Sequence, residues 1–243
     1  MNPVLVLVHN NLKYTQRCVE SLLAQDVHTT VFLVDNGSTD QTQQWMAEQP
    51  EIHYLRFESN TGFSHGVNEG LKWVFSHIDE NGNTTEHCLC VGSDTILPPW
   101  FYSSLALLDL PFVSGVAVED MEQIANPPEP SDPVPHPDFS AWLTTKELWE
   151  KLGGLSEDMV SWASDCDMHV RAHRLGIMLW KINQPFFHIR SRTLELAPKR
   201  EKRLLEMQAD ADRMTFAQKW KARVGSPQYA DLFSPDCFGI DQD

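Results

Sequence analysis

Four acidic positions and one histidine carry the chemistry that this sequence could perform. Asp35 follows the apolar run Val31, Phe32, Leu33, Val34, and Asp94 follows the run His87, Cys88, Leu89, Cys90, Val91. Each stands where a short buried strand meets turn residues, Asn36-Gly37-Ser38 in one case and Gly92-Ser93 in the other. A carboxylate at the carboxyl end of a buried strand is where open α/β sheets contact their ligands. The plainer alternative is that each aspartate caps the helix or turn that follows. Two strand-end aspartates are a more specific signal than one. A hard divalent cation such as Mg2+ or Mn2+ takes oxygen ligands and shares them with a diphosphate, and Asp94 could supply one such oxygen.

Asp165 and Asp167 are the second acidic pair. Two residues apart on a helix they point to different faces. Asp165 shares its stripe with Met168, Ala172 and Leu175, whereas Asp167 can pair with Arg171 one turn on. Asp165 is therefore the better general base and Asp167 the supporting group, although an acidic first turn is also favoured by the helix dipole alone. His188 ends the apolar run Pro185-Phe186-Phe187, a place where a histidine is commonly just packed. Arg190 and Arg192 follow it and could reach a diphosphate.

The elements that must position these groups are legible in the hydrophobic periodicity. Residues 4–8 are a continuous apolar run, as in a strand buried on both faces of a parallel sheet, and His9-Asn10-Asn11 ends it. Helical spacing over residues 13–25, the strand at 31–34, a helix over 41–46 capped by Ser38 or Thr39, and an alternating strand at 52–57 complete a β-α-β-α-β start. The loop Asn60-Thr61-Gly62-Phe63-Ser64-His65-Gly66-Val67-Asn68 then opens a helix, with backbone N–H groups available to an anion. It has neither the spacing of a dinucleotide fingerprint nor a P-loop Lys. Further on, residues 112–118 read as a strand and residues 127–137 as a Pro-rich loop. A short helix follows from about Thr144 to Gly153, a longer one runs to Gly176, and a strand covers residues 176–182. Residues 195–223 are a charged helical tract whose face of Leu204, Met207, Ala211, Met214, Phe216 and Trp220 packs on the domain or on a second copy of the chain.

Composition limits the partners. A formal net charge of −15 argues against nucleic acid as the main partner and against a polybasic membrane anchor. No apolar run reaches membrane-spanning length, and no charged-then-apolar leader pattern opens the sequence. Five cysteines without regular spacing read as reduced thiols, which places the protein in the cytoplasm. Cys88-x-Cys90 is too close for paired zinc ligands and reads as core.

Taken in order, the blocks Val34-Asp35-Asn36-Gly37-Ser38-Thr39-Asp40, Asn60-x-Gly62-Phe63 with Asn68, Ser93-Asp94-Thr95 before Pro98-Pro99, and Gly153-Gly154 leading to Asp165-x-Asp167 resemble the inverting glycosyltransferases of the GT-A fold, family two, over residues 1–195. A rhamnosyltransferase-like branch carries a similar Asp-Thr pair. The resemblance implies an α/β fold of the GT-A nucleotide-diphospho-sugar transferase type, with a mostly parallel central sheet flanked by helices. Residues 1–97 would bind the nucleotide, 98–195 would bind the acceptor and carry the catalytic base, and 196–243 would form a C-terminal helical extension. By the same resemblance, His9, Asn10, Asp35, Asn36, Asn60, Gly62, Phe63, Asn68 and Ser93 would contact the nucleotide. Asp94 and His188 would hold Mn2+ or Mg2+, and Asp165 would be the base. Asp167, Arg171, Arg190 and Arg192 would support the site or the diphosphate, and Trp162 would face the acceptor. Gly92 stands where the family's metal motif has its first Asp, Ser164 replaces a Glu, and Met168 a Leu. The expected activity is inverting transfer of a sugar from a nucleotide-diphosphate donor to a glycan or other hydroxyl acceptor. A non-catalytic binding module and a sugar-phosphate nucleotidyltransferase are the alternatives.

Overall fold

The computed structural model describes residues 1–79, 81–129, 131–189 and 199–239. Its centre is a nine-stranded sheet. Strands β1 (Pro3–Val8), β2 (Thr30–Asp35), β3 (Ile52–Arg56) and β4 (His87–Gly92) pair in parallel in the order β3-β2-β1-β4. Helices α1 (Leu12–Leu23), α2 (Thr42–Ala47) and α3 (Phe63–Ser76) make the crossovers. The sheet then continues without a break. β4 pairs antiparallel with β8 (Ala141–Thr145), β8 antiparallel with β6 (Phe112–Val118), and β6 parallel with β9 (Trp180–His188). The short strands β5 (Thr95–Ile96) and β7 (Val134–Pro135) both run antiparallel to β9. Most strands thus run one way, with β8 reversed at the centre.

Alternation along β1 fills both faces. Val4, Val6 and Val8 pack with α1 and with α4 (Phe101–Ala106), while Leu5 packs with Phe32, Val67, Leu71 and Val74 beneath α3. α5 (Lys146–Leu152) and α6 (Ser164–Arg174) complete the second layer through Leu148, Trp149, Met168 and Ala172. A third, smaller core of Met159, Val170, Phe216, Ala222 and Leu232 lies under α7 (Lys199–Trp220) and α8 (Pro227–Asp231). No helix among the described residues is long and apolar enough to cross a membrane.

Four expectations need correction. The helix at 42–47 is not capped by Ser38 or Thr39. Asp40 accepts from Thr42 N (3.0 Å), because Ser38 Oγ is already bound by Asn10 N (2.7 Å). The strand read at 176–182 begins at Trp180 and runs to His188. It carries Pro185 through an irregularity in the ladder between Ser114 and Val116, which accommodates the missing N–H. The helix read from about Thr144 begins at Lys146: Thr144 and Thr145 close β8, the strand AWLTT, and Thr145 caps α5. On α7 the buried side is Ala209, Asp212 and Phe216, whereas Leu204, Met207 and Met214 are exposed. Asp212, bonded to three backbone N–H groups, shares that inward side with Phe216 of the apolar stripe. Arg190, Arg192 and the boundary at 195/196 lie outside the described residues.

Candidate active site

β1 and β2 end side by side, and their carboxyl ends carry the first group of expected donor residues. Asn10 and Asn11 adopt left-handed φ of 56° and 59°, which asparagine tolerates best among residues with a side chain. That turn lets Asn10 Oδ1 accept from Thr39 N (2.8 Å) while His9 Nδ1 meets Asn36 O (2.9 Å). Asn36 in turn donates to Gly62 O (2.9 Å) and Asn60 Oδ1 (3.1 Å) and accepts from Thr61 N (2.8 Å). His9, Asn10, Asp35, Asn36, Asn60 and Gly62 are thereby one connected network. Asp35 is fully buried. Its Oδ1 accepts from Ser38 N (2.9 Å), and its Oδ2 is held by Arg56, whose second nitrogen donates to Ser38 O (2.9 Å). Arg56, a residue the motifs do not flag, is thus the part-exposed cation beside Asp35. Only its place at the end of an edge strand, next to β2, could have marked it.

Asn68 is placed elsewhere. Its amide donates to Leu155 O and Glu157 Oε1 (both 2.9 Å) and accepts from Leu155 N (2.9 Å). It fixes the loop before α6 rather than joining the network at the strand ends.

The β5–β9 ladder opposes Thr95 and His188, and this brings His188 back beside Asp94. His188 Nε2 and Asp94 Oδ1 are 3.2 Å apart, both largely buried. Two ligands at right angles on an ion with bonds of about 2.1 Å lie about 3 Å apart, so the pair fits two neighbouring positions on Mg2+ or Mn2+. No group of three or more His, Cys, Asp or Glu suited to a metal occurs among the described residues, so the remaining positions would fall to diphosphate oxygens and water. Gly92 keeps this corner open: a Cβ there would stand 3.3 Å from Asp94 Oδ1. Gly92, Ser93, Asp94, His188 and Phe63 line a cavity of about 230 Å³ that reaches down to Leu5 and Leu7.

His188, Phe63, Phe139 and Ser140 also line a second, more polar cavity of about 550 Å³, shared with Trp162, Ser164, Asp165, Asp138 and Lys181. The expected base and the expected metal pair therefore face adjoining spaces. Asp165 is half-buried at the first turn of α6. Burial pushes its carboxyl up from the usual range. The Cys166 N–H (2.8 Å to Oδ1) opposes that, and the nearby Asp138 charge adds to it. Lys181 and Asp138 enter the cavity unannounced, one from a strand interior and one from the end of the Pro-rich loop.

Asp167 is the more deeply buried of the two aspartates and is fully engaged. It meets Arg171 Nε (2.7 Å), Lys219 Nζ (2.7 Å) and Trp220 Nε1 (2.9 Å). Arg171 also donates to Leu152 O and to Gly154 O (2.7 Å), tying α6 to the end of α5. The loop ahead of α6 is pinned against the strand-end network at Gly62, which has φ 89° and whose added Cβ would come 2.2 Å from Val160 Cγ1 and 2.6 Å from Val160 O. Gly62→Ala is accordingly expected to destabilise the protein by about 1–3 kcal/mol, with lowered donor affinity, read by urea unfolding and nucleotide titration. An unchanged midpoint would mean that the two loops are not coupled there.

Residues 4–117 match the model of glycosyl transferase family 2. No curated protein matches the sequence. Among solved structures, the chain is similar to the mannosyltransferase PcManGT from Pyrobaculum calidifontis in complex with GDP-Man and Mn2+, with a TM-score of 0.61 and 17% identity over 97% of this chain and 68% of that one. It is similar to TarS from S. aureus (TM-score 0.60, 18% identity), covering 81% of this chain and 38% of that chain. GalNAc-T7 with UDP, GalNAc and Mn2+ is also similar (TM-score 0.60, 10% identity), with coverage of 77% and 43%. The chain thus spans less than half of the length of the last two. At these identities the likeness establishes a common fold, that of the GT-A glycosyltransferases.

Proposed function

We propose, from the family-two match of residues 4–117 and the GT-A fold, that the protein moves a sugar from a nucleotide-diphosphate donor to a hydroxyl acceptor with inversion at the anomeric carbon. The observation that carries this reading is the shared wall: His188, paired with Asp94, lines the same cavity as Asp165. In one displacement Asp165 takes the proton from the acceptor hydroxyl as that oxygen attacks the sugar carbon, and the diphosphate departs on the opposite side. Burial and the Asp138 charge raise its pKa, which makes the ionised carboxylate a stronger proton acceptor. Asp94 and His188 would hold a divalent cation, which supplies charge to the leaving diphosphate. The network of Asn10, Asn36, Asn60 and Arg56 around Asp35 shapes the nucleoside end of the site. Arg190 and Arg192, outside the described residues, remain in this reading as groups for the diphosphate.

The test is nucleoside-diphosphate release over a panel of nucleotide sugars, with Mn2+, Mg2+ or chelator, for wild type, Asp94→Ala and His188→Ala. The expected result is release with one donor that chelation and either substitution reduce by on the order of 10²-fold or more. Release that survives chelator would sink the metal assignment. Retention of the donor's anomeric configuration in the product would sink the single displacement. Binding without turnover for every donor and metal would favour a non-catalytic module.

A further inference from the structure

The acceptor cavity does not end at Asp165. Trp162 forms a wall shared with another cleft of about 310 Å³, whose other lining residues all come from α7: Glu206, Ala209, Asp210 and Arg213. That helix lies beyond the family-matched segment.

The cleft is held in shape from beneath. Asp212 is 1% exposed, and its carboxylate accepts from three consecutive backbone N–H groups, Val160 (3.0 Å), Ser161 (2.8 Å) and Trp162 (2.9 Å). Gln208 Nε2 donates to the same carboxylate (2.8 Å). A run of N–H groups converging on one anion is a strong, directional tie. It fixes the backbone that carries the Trp162 indole against the helix that carries Glu206, Asp210 and Arg213. Asp210 and Arg213 are paired at 3.1 Å and open to water, and the buried Ala209 lines the same cleft.

This combination matches the surface of a sugar ring. The C–H face of a pyranose is apolar with partial positive charge and lies well on the negative face of an indole. Its hydroxyls donate to carboxylates and accept from a guanidinium. Two carboxylates against one guanidinium, on a chain of net charge −15, disfavour an anionic ligand. We propose that the cleft is a second acceptor subsite. It takes the unit next to the one whose hydroxyl faces Asp165, so the acceptor is a neutral oligosaccharide of two or more units. The role in transfer rests on the transferase reading; the binding of neutral oligosaccharide does not.

Calorimetric titration with neutral gluco-, manno- and N-acetylglucosamine oligomers of one to four units tests this directly. Affinity for one series is expected to rise by on the order of tenfold from one unit to two, and the doubly substituted Glu206→Ala/Arg213→Ala protein to lose that step. Thermal midpoints recorded in parallel separate a lost subsite from a lost fold. Flat affinity over length, a step that survives the substitutions, tighter binding of uronic-acid oligomers, or no binding of any neutral oligomer would each overturn the subsite. If wild-type donor turnover is present while length has no effect, the subsite falls and the transferase reading stands. With a length step but no donor turnover on any nucleotide sugar, the subsite stands and the transferase reading falls.

Discussion

Asp165→Asn is expected to lower sugar transfer by about 10²–10⁴-fold and, at neutral pH, to raise the thermal midpoint. The first effect follows from removing the only expected base. The second follows from its carboxyl being pushed up by burial, with the Asp138 charge adding to that. A carboxyl whose folded pKa exceeds its unfolded one binds its proton more tightly in the native state. Stability therefore falls as pH rises from the unfolded pKa through the folded one, and above that window the ionised group is a standing cost. The amide cannot ionise and removes it. The same shift places the acid limb of kcat/KM above the ordinary carboxylate range, and Asp138→Asn should move that limb down. Transfer kinetics from pH 4 to 8 beside thermal scans of both variants provide the check. A variant that loses activity and stability together would make Asp165 a structural group.

Asp167→Ala is the largest stability effect expected. Its carboxylate joins α6 to α7 through Lys219 and Trp220 and holds Arg171. Removing one partner of a buried pair costs roughly 3–5 kcal/mol. The low end, about 3 kcal/mol, applies here because Lys219 is 40% exposed and water can screen it. Arg171 also keeps its bonds to Leu152 O and Gly154 O. Urea unfolding should show this loss, and amide exchange should rise along α7 before the rest of the fold. A cost under about 1 kcal/mol would mean that α7 docks through Phe216 and its apolar neighbours alone.

The parallel half of the sheet was legible because buried strands there are short, continuous apolar runs bounded by Asn, Gly and Ser. The strand-end aspartates stood out for the same reason. β8 escaped because Ala141–Thr145 is brief, ends in two threonines and merges into a helix cap, and because an antiparallel strand between parallel ones breaks the βαβ rhythm. On α7 the expected face holds at Phe216 and Trp220 but not at Leu204, Met207 and Met214, because periodicity weighs apolar residues and cannot foresee that Asp212 meets three amides some fifty residues upstream. Asn68 was grouped with the donor loop by its motif neighbours, whereas its amide is occupied by the loop before α6. The proximity of Asp94 and His188 could be expected from the family resemblance. Its cause, a two-residue strand that turns back on β9, could not.

The reversed strand at the centre also bears on how the chain comes together in time. β4 emerges from synthesis with β1 waiting for one flank, but its other flank belongs to β8, which is made only after α4, β6 and the Pro-rich segment. Until then Cys88, Cys90 and Val91 sit on an open edge, the kind of template on which nascent chains pair wrongly. The first half of the sheet, β1 to β4, thus keeps an open edge until β8 pairs with it. The corner of Asp94 and His188 likewise waits for β9, the last strand of the sheet to be made.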